Sequence, residues 1–235
     1  MKVSKLYLLI LLLFLTFSQI SRSQDVCEGG FYLGTNMSKL HEELFSYDNA
    51  WGGQAGVEWK VGSKWCQFEG QIGYSAMMSK FKDYIEVGQQ EGGIVQRNKS
   101  VYKAVGHYLD LPLYLSLGWW DMEDSEFGFT VMGGAYMEVG LAGTINIETD
   151  LENLNYGVVT ARHTSHYSTS LFGDDQCNIK RFNAGWTVGA RLALGYMIRI
   201  GATYRHGLID LSNVHGRKST RNSFFINIAF AFGNY

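Results

Sequence analysis

Hydrophobic and polar residues alternate with a period of two along most of the chain beyond Gln24. Such alternation is typical of β-strands whose two faces meet different surroundings. It predicts eight strands, which lie near Gly29–Ser38, Trp51–Val61, Cys66–Met78, Tyr108–Leu117, Phe127–Leu141, Phe182–Leu194, Tyr196–Arg205 and Phe224–Phe232. Eight is the smallest strand number of single-chain bacterial barrels. We therefore predict an all-β, eight-stranded antiparallel up-and-down transmembrane β-barrel.

The predicted connections between these strands alternate in length. The short turns fall near Gly62–Lys64, Trp119–Ser125 and Gly195, and the longer loops fall near Lys39–Ala50, Lys80–Ser100, Gly143–Lys180 and Ser212–Thr220. Outer-membrane barrels have short periplasmic turns and longer external loops. With the N-terminus in the periplasm, every predicted connection falls on the side that this rule expects.

The composition of the second strand face favours a membrane barrel over a soluble one. A soluble barrel would carry many Lys and Glu outside, whereas this face is rich in Gly, Ser and Thr, which suit a narrow lumen. Charged residues of both signs also lie on it, and we expect them to pair because unpaired buried charges cost several kcal/mol. The predicted lumen charge network consists of Glu58, Glu69, Asp110, Glu138, Arg191, Arg199 and Arg205. Lys60 and Glu126 are expected at the wet barrel ends.

Tryptophans lie near the predicted strand ends, at Trp51, Trp59, Trp119, Trp120 and Trp186. Aromatic residues form girdles at both membrane interfaces of outer-membrane barrels. These positions therefore agree with a lipid-facing exterior.

The N-terminal residues have the form of a signal peptide. A basic start is followed by the apolar run Leu6–Phe17, and Ser21 and Ser23 fit a signal-peptidase site. The run is too short for a comfortable membrane-spanning helix. We expect Met1–Ser23 to be cleaved and residues 24–235 to form an outer-membrane barrel domain, with an uncleaved anchor as the alternative.

Export makes disulfides possible, and the chain has three cysteines. Cys27 and Cys66 could form a bridge if both lie at the same barrel end, whereas Cys177 lies in a long loop. Three unpaired thiols are the alternative. Lipid attachment at Cys27 is a weaker alternative, because the residues before it lack the usual pattern.

Composition and charge narrow the functional classes. The formal net charge is −2, so no strong field draws the chain to nucleic acid, and we expect no nucleic-acid partner. Hydrophobic residues make up 46% of the chain, which is too many for a disordered protein. A single proline suits long strands, because proline deletes ladder hydrogen bonds.

Candidate chemistry is sparse, and we predict no catalytic residue, no cofactor and no metal site. The longest predicted loop holds possible metal ligands with loose spacing, namely His163, His166, Asp174, Asp175 and Cys177. A few groups could lie at the outer rim, where some barrel enzymes keep catalytic residues, namely His107, His206, Asp210 and His215. Solvated loop and rim residues are the favoured interpretation of both sets.

Five segments resemble a known family. They are Tyr108–Tyr114, which contains Leu-Pro-Leu, and Gly133–Tyr136, Ala190–Leu194, Gly201–Asn213 and Arg221–Phe232. In this order they resemble the outer-membrane β-barrel proteins of Bacteroidota, which include small porin-like proteins and the PorT-type accessory barrels of the type IX secretion system. The resemblance implies the fold and the outer-membrane location, and it implies no active site. The N-terminal third matches only in pattern.

Two functions agree with these observations. One is an integral outer-membrane protein with a structural, adhesion or narrow-pore role and a largely plugged polar lumen. The other is an accessory subunit of an envelope machine such as a type IX secretion complex. The expected partners are outer-membrane lipid, the barrel-assembly machinery and an envelope protein that contacts Gly143–Lys180, a polar segment suited to recognition.

Overall fold

The computed structural model describes residues 26–42, 47–63, 65–90, 94–119, 127–155, 158–173, 179–195, 197–213 and 218–234. Its strands are β1 (Val26–Glu42), β2 (Tyr47–Gly62), β3 (Cys66–Gln90), β4 (Ile94–Trp119), β5 (Phe127–Asn155), β6 (Val158–Ser170), β7 (Phe182–Leu194), β8 (Ile198–Gly207) and β9 (Ser219–Asn234). No helix among these residues is long and apolar enough to cross a membrane. The predicted signal peptide lies outside the described residues.

Eight of the nine strands close into a ring. Within the ring, strands that follow one another in the chain pair antiparallel, and β5 pairs directly with β7 because β6 lies outside the ring. The pairing of β1 with β9 closes the ring. β6 stands outside the ring and pairs with β5. The predicted all-β, eight-stranded up-and-down barrel is therefore confirmed, and the ninth strand falls in a segment that we expected to be a loop.

Three of the four predicted long loops are shorter than expected, because the strands continue into them. β3 reaches Gln90 and β4 begins at Ile94, so Lys80–Ser100 is mostly strand. In the same way, Gly143–Lys180 contains the end of β5 and all of β6, and β1 and β2 extend into Lys39–Ala50. The alternation of apolar residues is weaker and less regular here, although Ile145 and Ile147 continue it on β5. Backbone pairing does not need a fully apolar face.

The two faces of the barrel strands differ as the alternation predicts. On β9, Phe225 is 0% exposed, whereas its neighbours Phe224 and Ile226 are 36% and 39% exposed. The exposed side chains of all eight ring strands are predominantly Leu, Ile, Val, Phe, Met and Trp, and the buried ones are mostly polar. This distribution is inverted relative to a soluble protein and is typical of a lipid-facing barrel.

Two irregularities interrupt the β3–β4–β5 part of the wall. Pro112 lies inside β4, and the β3–β4 pairing is interrupted around it, between the pairs Gly70–Leu113 and Gly73–Asp110, without a change of register. This interruption is expected because proline has no backbone N–H. Further along β4, the register with β5 shifts between His107 and Tyr108. A bulge of this kind re-aims the side chains beyond it.

The end of the barrel that carries the N-terminus has tight connections. The β2–β3 turn places Gly62 at a φ of 152° and Gly195 at the β7–β8 turn has a φ of 63°, both of which favour glycine. Cys27 and Cys66 lie near this end, and both thiols are free and exposed. The possible bridge between them is not formed, and Cys177 lies outside the described residues.

Candidate functional site

Arg191 is the centre of the charged lumen at the end nearer the N-terminus. It projects inward from β7 and is 1% exposed. Its Nη1 donates to Glu69 Oε2 at 2.7 Å and its Nη2 donates to Glu58 Oε2 at 3.1 Å. One guanidinium therefore joins carboxylates from β2 and β3 on the opposite wall, a geometry that the planar fork of arginine allows.

Two further cations complete this layer. Arg199 of β8 donates to Glu28 of β1 and lies 3.7 Å from Glu58 Oε1. Lys60 Nζ lies 3.3 Å from Glu69 Oε1, and both side chains are 1% exposed. The expectation that Lys60 sits at a wet barrel end is therefore wrong. Its strand position points it into the lumen, where Glu69 compensates its charge.

A second layer lies nearer the opposite end of the barrel. Arg205 Nη1 donates to Asp110 Oδ1 at 3.2 Å, and its guanidinium carbon lies 4.1 Å from the centre of the Phe225 ring. Stacking on an aromatic face helps to hold a desolvated guanidinium.

Glu138 completes this second layer. It accepts a hydrogen bond from Asn183 Nδ2 at 2.6 Å and pairs with Arg221. The Arg221 guanidinium carbon lies 4.1 Å from the centre of the Tyr108 ring. Each charge in this layer has an opposite charge beside it.

The lumen charges balance. Together the two layers, which we call the lumen network, contain five buried carboxylates and five buried cations, namely Glu28, Glu58, Glu69, Asp110, Glu138, Lys60, Arg191, Arg199, Arg205 and Arg221. The structure brings all seven predicted residues into this set and pairs each with an opposite charge. Sequence reasoning missed Glu28 and Arg221, although both lie on the inward side of the alternation in β1 and β9.

Small residues let a tyrosine fill the lumen between the ion pairs. Tyr32 is 2% exposed and points inward from β1. A Cβ at Gly73 would lie 1.9 Å from Tyr32 Oη, and a Cβ at Gly56 would lie 2.8 Å from Tyr32 Cζ. The ring therefore needs glycine at both positions, and with it Tyr32 occupies part of the lumen.

An apolar group covers the lumen at the end away from the N-terminus. We call this group, Leu171, Phe172 and Ile179, the outer cap. Phe172 is 3% exposed and meets the Tyr108 ring edge-on, with ring centres 5.5 Å apart. A Cβ at Gly140 would lie 2.4 Å from Phe172 Cζ, so glycine makes room for the ring.

The outer cap is tied to the barrel wall at both ends. Leu171 N donates to Gly143 O at 3.0 Å, and the Arg181 guanidinium donates to Gly140 O at 3.1 Å and to Leu141 O at 3.0 Å. Ile179 N donates to Leu171 O at 2.9 Å. These contacts hold the cap across the mouth of the barrel.

The connection between β8 and β9 supports the cap from the side. The Asp210 carboxylate accepts hydrogen bonds from the backbone N–H of Ser212 at 3.0 Å and of Ser219 at 2.9 Å. Burial opposes ionisation of Asp210, but these two amides, together with Lys180 and Lys218, outweigh it and lower the pKa of the carboxyl. Lys180 N in turn donates to Leu211 O at 2.9 Å.

Four strands continue beyond the mouth as an open sheet. We call this the external sheet; it consists of residues 82–90 of β3, 94–106 of β4, 143–155 of β5 and all of β6. From residue 143 to residue 155, β5 rises about 40 Å at the usual 3.3 Å per residue. Every β6 side chain from Val159 to Ser168 is exposed.

Polar contacts hold β6 against β5. The Arg162 guanidinium donates to Glu152 Oε1 through Nε at 3.1 Å, and Thr164 Oγ1 donates to Asp150 Oδ1 at 2.6 Å. The acidic side chains on the outer face of β5 therefore lie beside β6 side chains that bind them. The outer edge of the sheet is therefore ordered by side chains as well as by the backbone ladder.

The possible metal and rim-enzyme groups do not converge. His163 and His166 point to opposite faces of β6, and the described residues hold no group of three or more His, Cys, Asp or Glu that could bind a metal. His107 Nδ1 lies 2.5 Å from the Tyr74 hydroxyl, and His206 stacks on Trp186 with ring centres 5.2 Å apart. Asp174, Asp175, Cys177 and His215 lie outside the described residues.

Exposed aromatics lie towards both ends of the apolar exterior. Trp51 is 59% exposed, and Trp186 packs on Tyr204 of β8 with ring centres 5.7 Å apart. Trp59 lies near the opposite end, where a Cβ at Gly70 would meet its ring at 2.0 Å. Trp120 and the side chain of Trp119 lie outside the described part of the chain.

No protein-family model matches the chain, and no curated protein matches its sequence. Among solved structures, it is similar to Ail, the attachment invasion locus protein of Yersinia pestis, with a TM-score of 0.37 and 10% identity over 87% of this chain and 98% of that one. It is also similar to neisserial surface protein A, NspA, with a TM-score of 0.33 and 11% identity over 87% of this chain and 97% of that one. The translocator domain of the autotransporter NalP from Neisseria meningitidis follows, with a TM-score of 0.28, 11% identity and 97% of both chains covered.

Proposed function

We propose that this chain is an integral outer-membrane β-barrel that is closed to solutes and displays the external sheet as an adhesive contact surface. The observation that carries the proposal is the combination of a filled, charge-balanced lumen with strands that continue far beyond the apolar exterior. A channel needs an open lumen, and a simple membrane anchor does not need an external sheet.

The exterior supports insertion into a bilayer. On β9 the exposed apolar residues run from Phe224 to Phe232, which corresponds to about 20 Å along the membrane normal for strands tilted by about 40°. On β5 they run from Phe127 to Leu141, or about 35 Å by the same arithmetic. These heights bracket the band of about 25 Å found in outer-membrane barrels.

The interior supports closure to solutes. Ion pairs from opposite walls cross the lumen in two layers, and Phe172 covers the mouth. A permeating ion would have to separate buried partners, which costs about 3–5 kcal/mol for each broken pair. The lumen therefore acts as the rigid core of the barrel.

The external sheet supports a contact role. Its outer strand is exposed along most of its length, rich in Ser and Thr, and held in place by Arg162 and Thr164. Binding residues are often carried on segments that a rigid scaffold positions. A stiff barrel below an exposed polar sheet has this arrangement.

The test compares the full chain with a shortened variant in which the tip of the β5–β6 hairpin, residues 150–164, is replaced by a two-residue turn. Purified protein in planar bilayers should give no stable conductance. Bacteria that carry the full chain should adhere to surfaces or to other cells, and the shortened variant should insert equally well but lose adhesion. Steady single-channel currents, or adhesion that survives the shortening, would contradict the proposal.

A further inference from the structure

The outer edge of β6 carries a row of backbone groups that no described strand pairs. β6 stands last in the sheet order and pairs with β5. Leu171 N donates to Gly143 O, which fixes the phase of the β5–β6 ladder. Because hydrogen-bonded pairs alternate in an antiparallel ladder, odd-numbered β6 residues bond to β5 and even-numbered ones face outward. The outward N–H and C=O groups belong to Arg162, Thr164, His166 and Ser168.

Between Ala161 and Ser170 this edge has few of the features that usually protect free strands, and its one Arg or Lys, Arg162, is paired with Glu152 of β5. It has no proline and no lysine, its described side chains are exposed, and its ladder with β5 is regular from Thr144–Ser170 to Asn153–Ala161. Natural edge strands are usually short, charged, bulged or covered. An exposed regular edge of this length is a template for one more antiparallel strand.

A second copy of β6 is a complementary strand for this edge. A two-fold axis at Ser165 would place Arg162 opposite Ser168, Thr164 opposite His166 and His163 opposite Tyr167. No like charges then face each other, and an aromatic pair is formed. A register centred one residue further along would place His166 opposite His166 of the second copy. A register centred one residue earlier would place Arg162 opposite His166 of the second copy. The side-chain order therefore favours the register centred on Ser165.

Antiparallel pairing also fixes where the second copy sits. β5 leads away from the barrel and β6 returns towards it, so a β6 strand running the opposite way belongs to a barrel at the other end of the shared sheet. Two barrels that point at each other cannot lie in one membrane with the same orientation. We propose that the β6 edge pairs with the β6 edge of a second copy in an opposing membrane and so joins two membrane surfaces.

This inference rests on the proposed function, because it names the partner of the external sheet. One strand pair is a small interface compared with the about 1,600 Å² of a stable complex. Single contacts are therefore weak, and tethering arises from many copies acting together between two surfaces.

The test uses the full chain in two populations of liposomes with different dyes. Mixing should give co-clustering. Thr164→Pro removes one outward N–H and the hydroxyl that donates to Asp150, but no backbone bond to β5, and it should slow clustering about tenfold or more. The matched control Thr164→Val loses the same hydrogen bond to Asp150 but keeps the N–H. Because Arg162 and the backbone ladder still hold β6, it should cluster much faster than Thr164→Pro, and the difference between the two variants reports the outward N–H alone.

A cysteine scan reports the register directly. In a background with Cys27, Cys66 and Cys177 changed to serine, Ser165→Cys should form disulfide-linked dimers between the two populations under mild oxidation, because a non-hydrogen-bonded pair brings Cα atoms within disulfide range. Thr164→Cys, whose counterpart is His166, should not.

Three outcomes would overturn the inference. They are an absence of clustering by correctly inserted protein, clustering that Thr164→Pro leaves intact, and Ser165→Cys dimers confined to one population. Each leaves the proposed function standing if adhesion to other surfaces persists. Failure of the chain to insert would instead overturn the proposed function.

Discussion

Replacing Arg191 by methionine removes the cation that joins Glu58 and Glu69 across the lumen. Methionine retains most of the side-chain volume, so the main change is electrostatic. The lumen network then has five carboxylates against four cations, from the original five and five. The variant isolates the contribution of one buried ion-pair junction to barrel stability.

The loss of unfolding free energy depends on which partners Glu58 and Glu69 keep when Arg191 is removed. Removing one partner of a buried ion pair costs about 3–5 kcal/mol. Glu58 keeps Arg199 at 3.7 Å and Gln71 at 3.1 Å, and Glu69 keeps Lys60 at 3.3 Å. We therefore expect Arg191→Met to lower the free energy of unfolding by about 3 kcal/mol, the lower end of that range.

The double variant Arg191→Met/Glu58→Gln is the matched control. It restores charge balance, because Arg199 keeps Glu28 and Glu69 keeps Lys60. Neutral replacement of a whole buried pair is often close to neutral for stability. We expect the double variant to recover at least about 1 kcal/mol of the loss, which is a coupling energy typical of contacting residues.

The assay is reversible urea unfolding in lipid vesicles, followed by tryptophan fluorescence and by the gel shift between folded and unfolded barrel. A loss below about 1 kcal/mol in Arg191→Met would mean that Arg191 is hydrated or already unpaired. A double variant less stable than the single one would mean that Glu58 does not depend on Arg191. Either result would refute the paired-lumen account.

Three further predictions concern the cap, the lumen packing and the β8–β9 connection. Phe172→Ala should cost about 3 kcal/mol of local stability at the buried Tyr108 contact, seen as faster amide exchange at Leu171 with no change in the barrel strands. Gly73→Ala should destabilise the barrel by about 1–3 kcal/mol in the same urea assay because its Cβ meets the Tyr32 hydroxyl, whereas Tyr32→Phe combined with Gly73→Ala should restore part of the loss. Asp210→Asn should speed amide exchange at Ser219 at neutral pH. Because the folded pKa of Asp210 lies below its ordinary value, the wild-type protection is present at neutral pH and is lost as the pH falls through the folded pKa, and the variant should show no such loss.

The barrel and its charged lumen were accessible from sequence because a period of two survives wherever a strand separates lipid from lumen. Glu58, Glu69 and Arg191 stand out on the polar face for that reason. Lys60 was assigned to the wrong environment because alternation gives the face of a residue but not its height along the barrel. Glu69, which compensates its charge, lies on the next strand.

The external sheet is harder to predict by the same argument. On β5 the alternation continues beyond residue 143 through Ile145, Ile147 and Leu151, and Ile145 packs in the apolar cluster that contains Leu171 and Phe172. The neighbouring polar residues and Gly143 make this segment look like a loop. The extra residue Leu141 of β5, opposite the step from His107 to Tyr108, also shifts which residues of β5 face inward. β6 has Thr, Val and Tyr in keeping with strand propensity, and that composition was the remaining signal. The signal peptide, the Bacteroidota resemblance and a role in an envelope machine stay predictions.

If this chain crosses an outer membrane as a closed barrel, it should behave as an integral membrane protein with a heat-sensitive fold. Membrane fractionation with a carbonate wash, read out by gel migration with and without boiling, measures both properties. The protein should stay in the outer-membrane fraction and migrate faster before boiling than after it. Recovery in the soluble periplasm, or migration that boiling does not change, would contradict a closed membrane barrel.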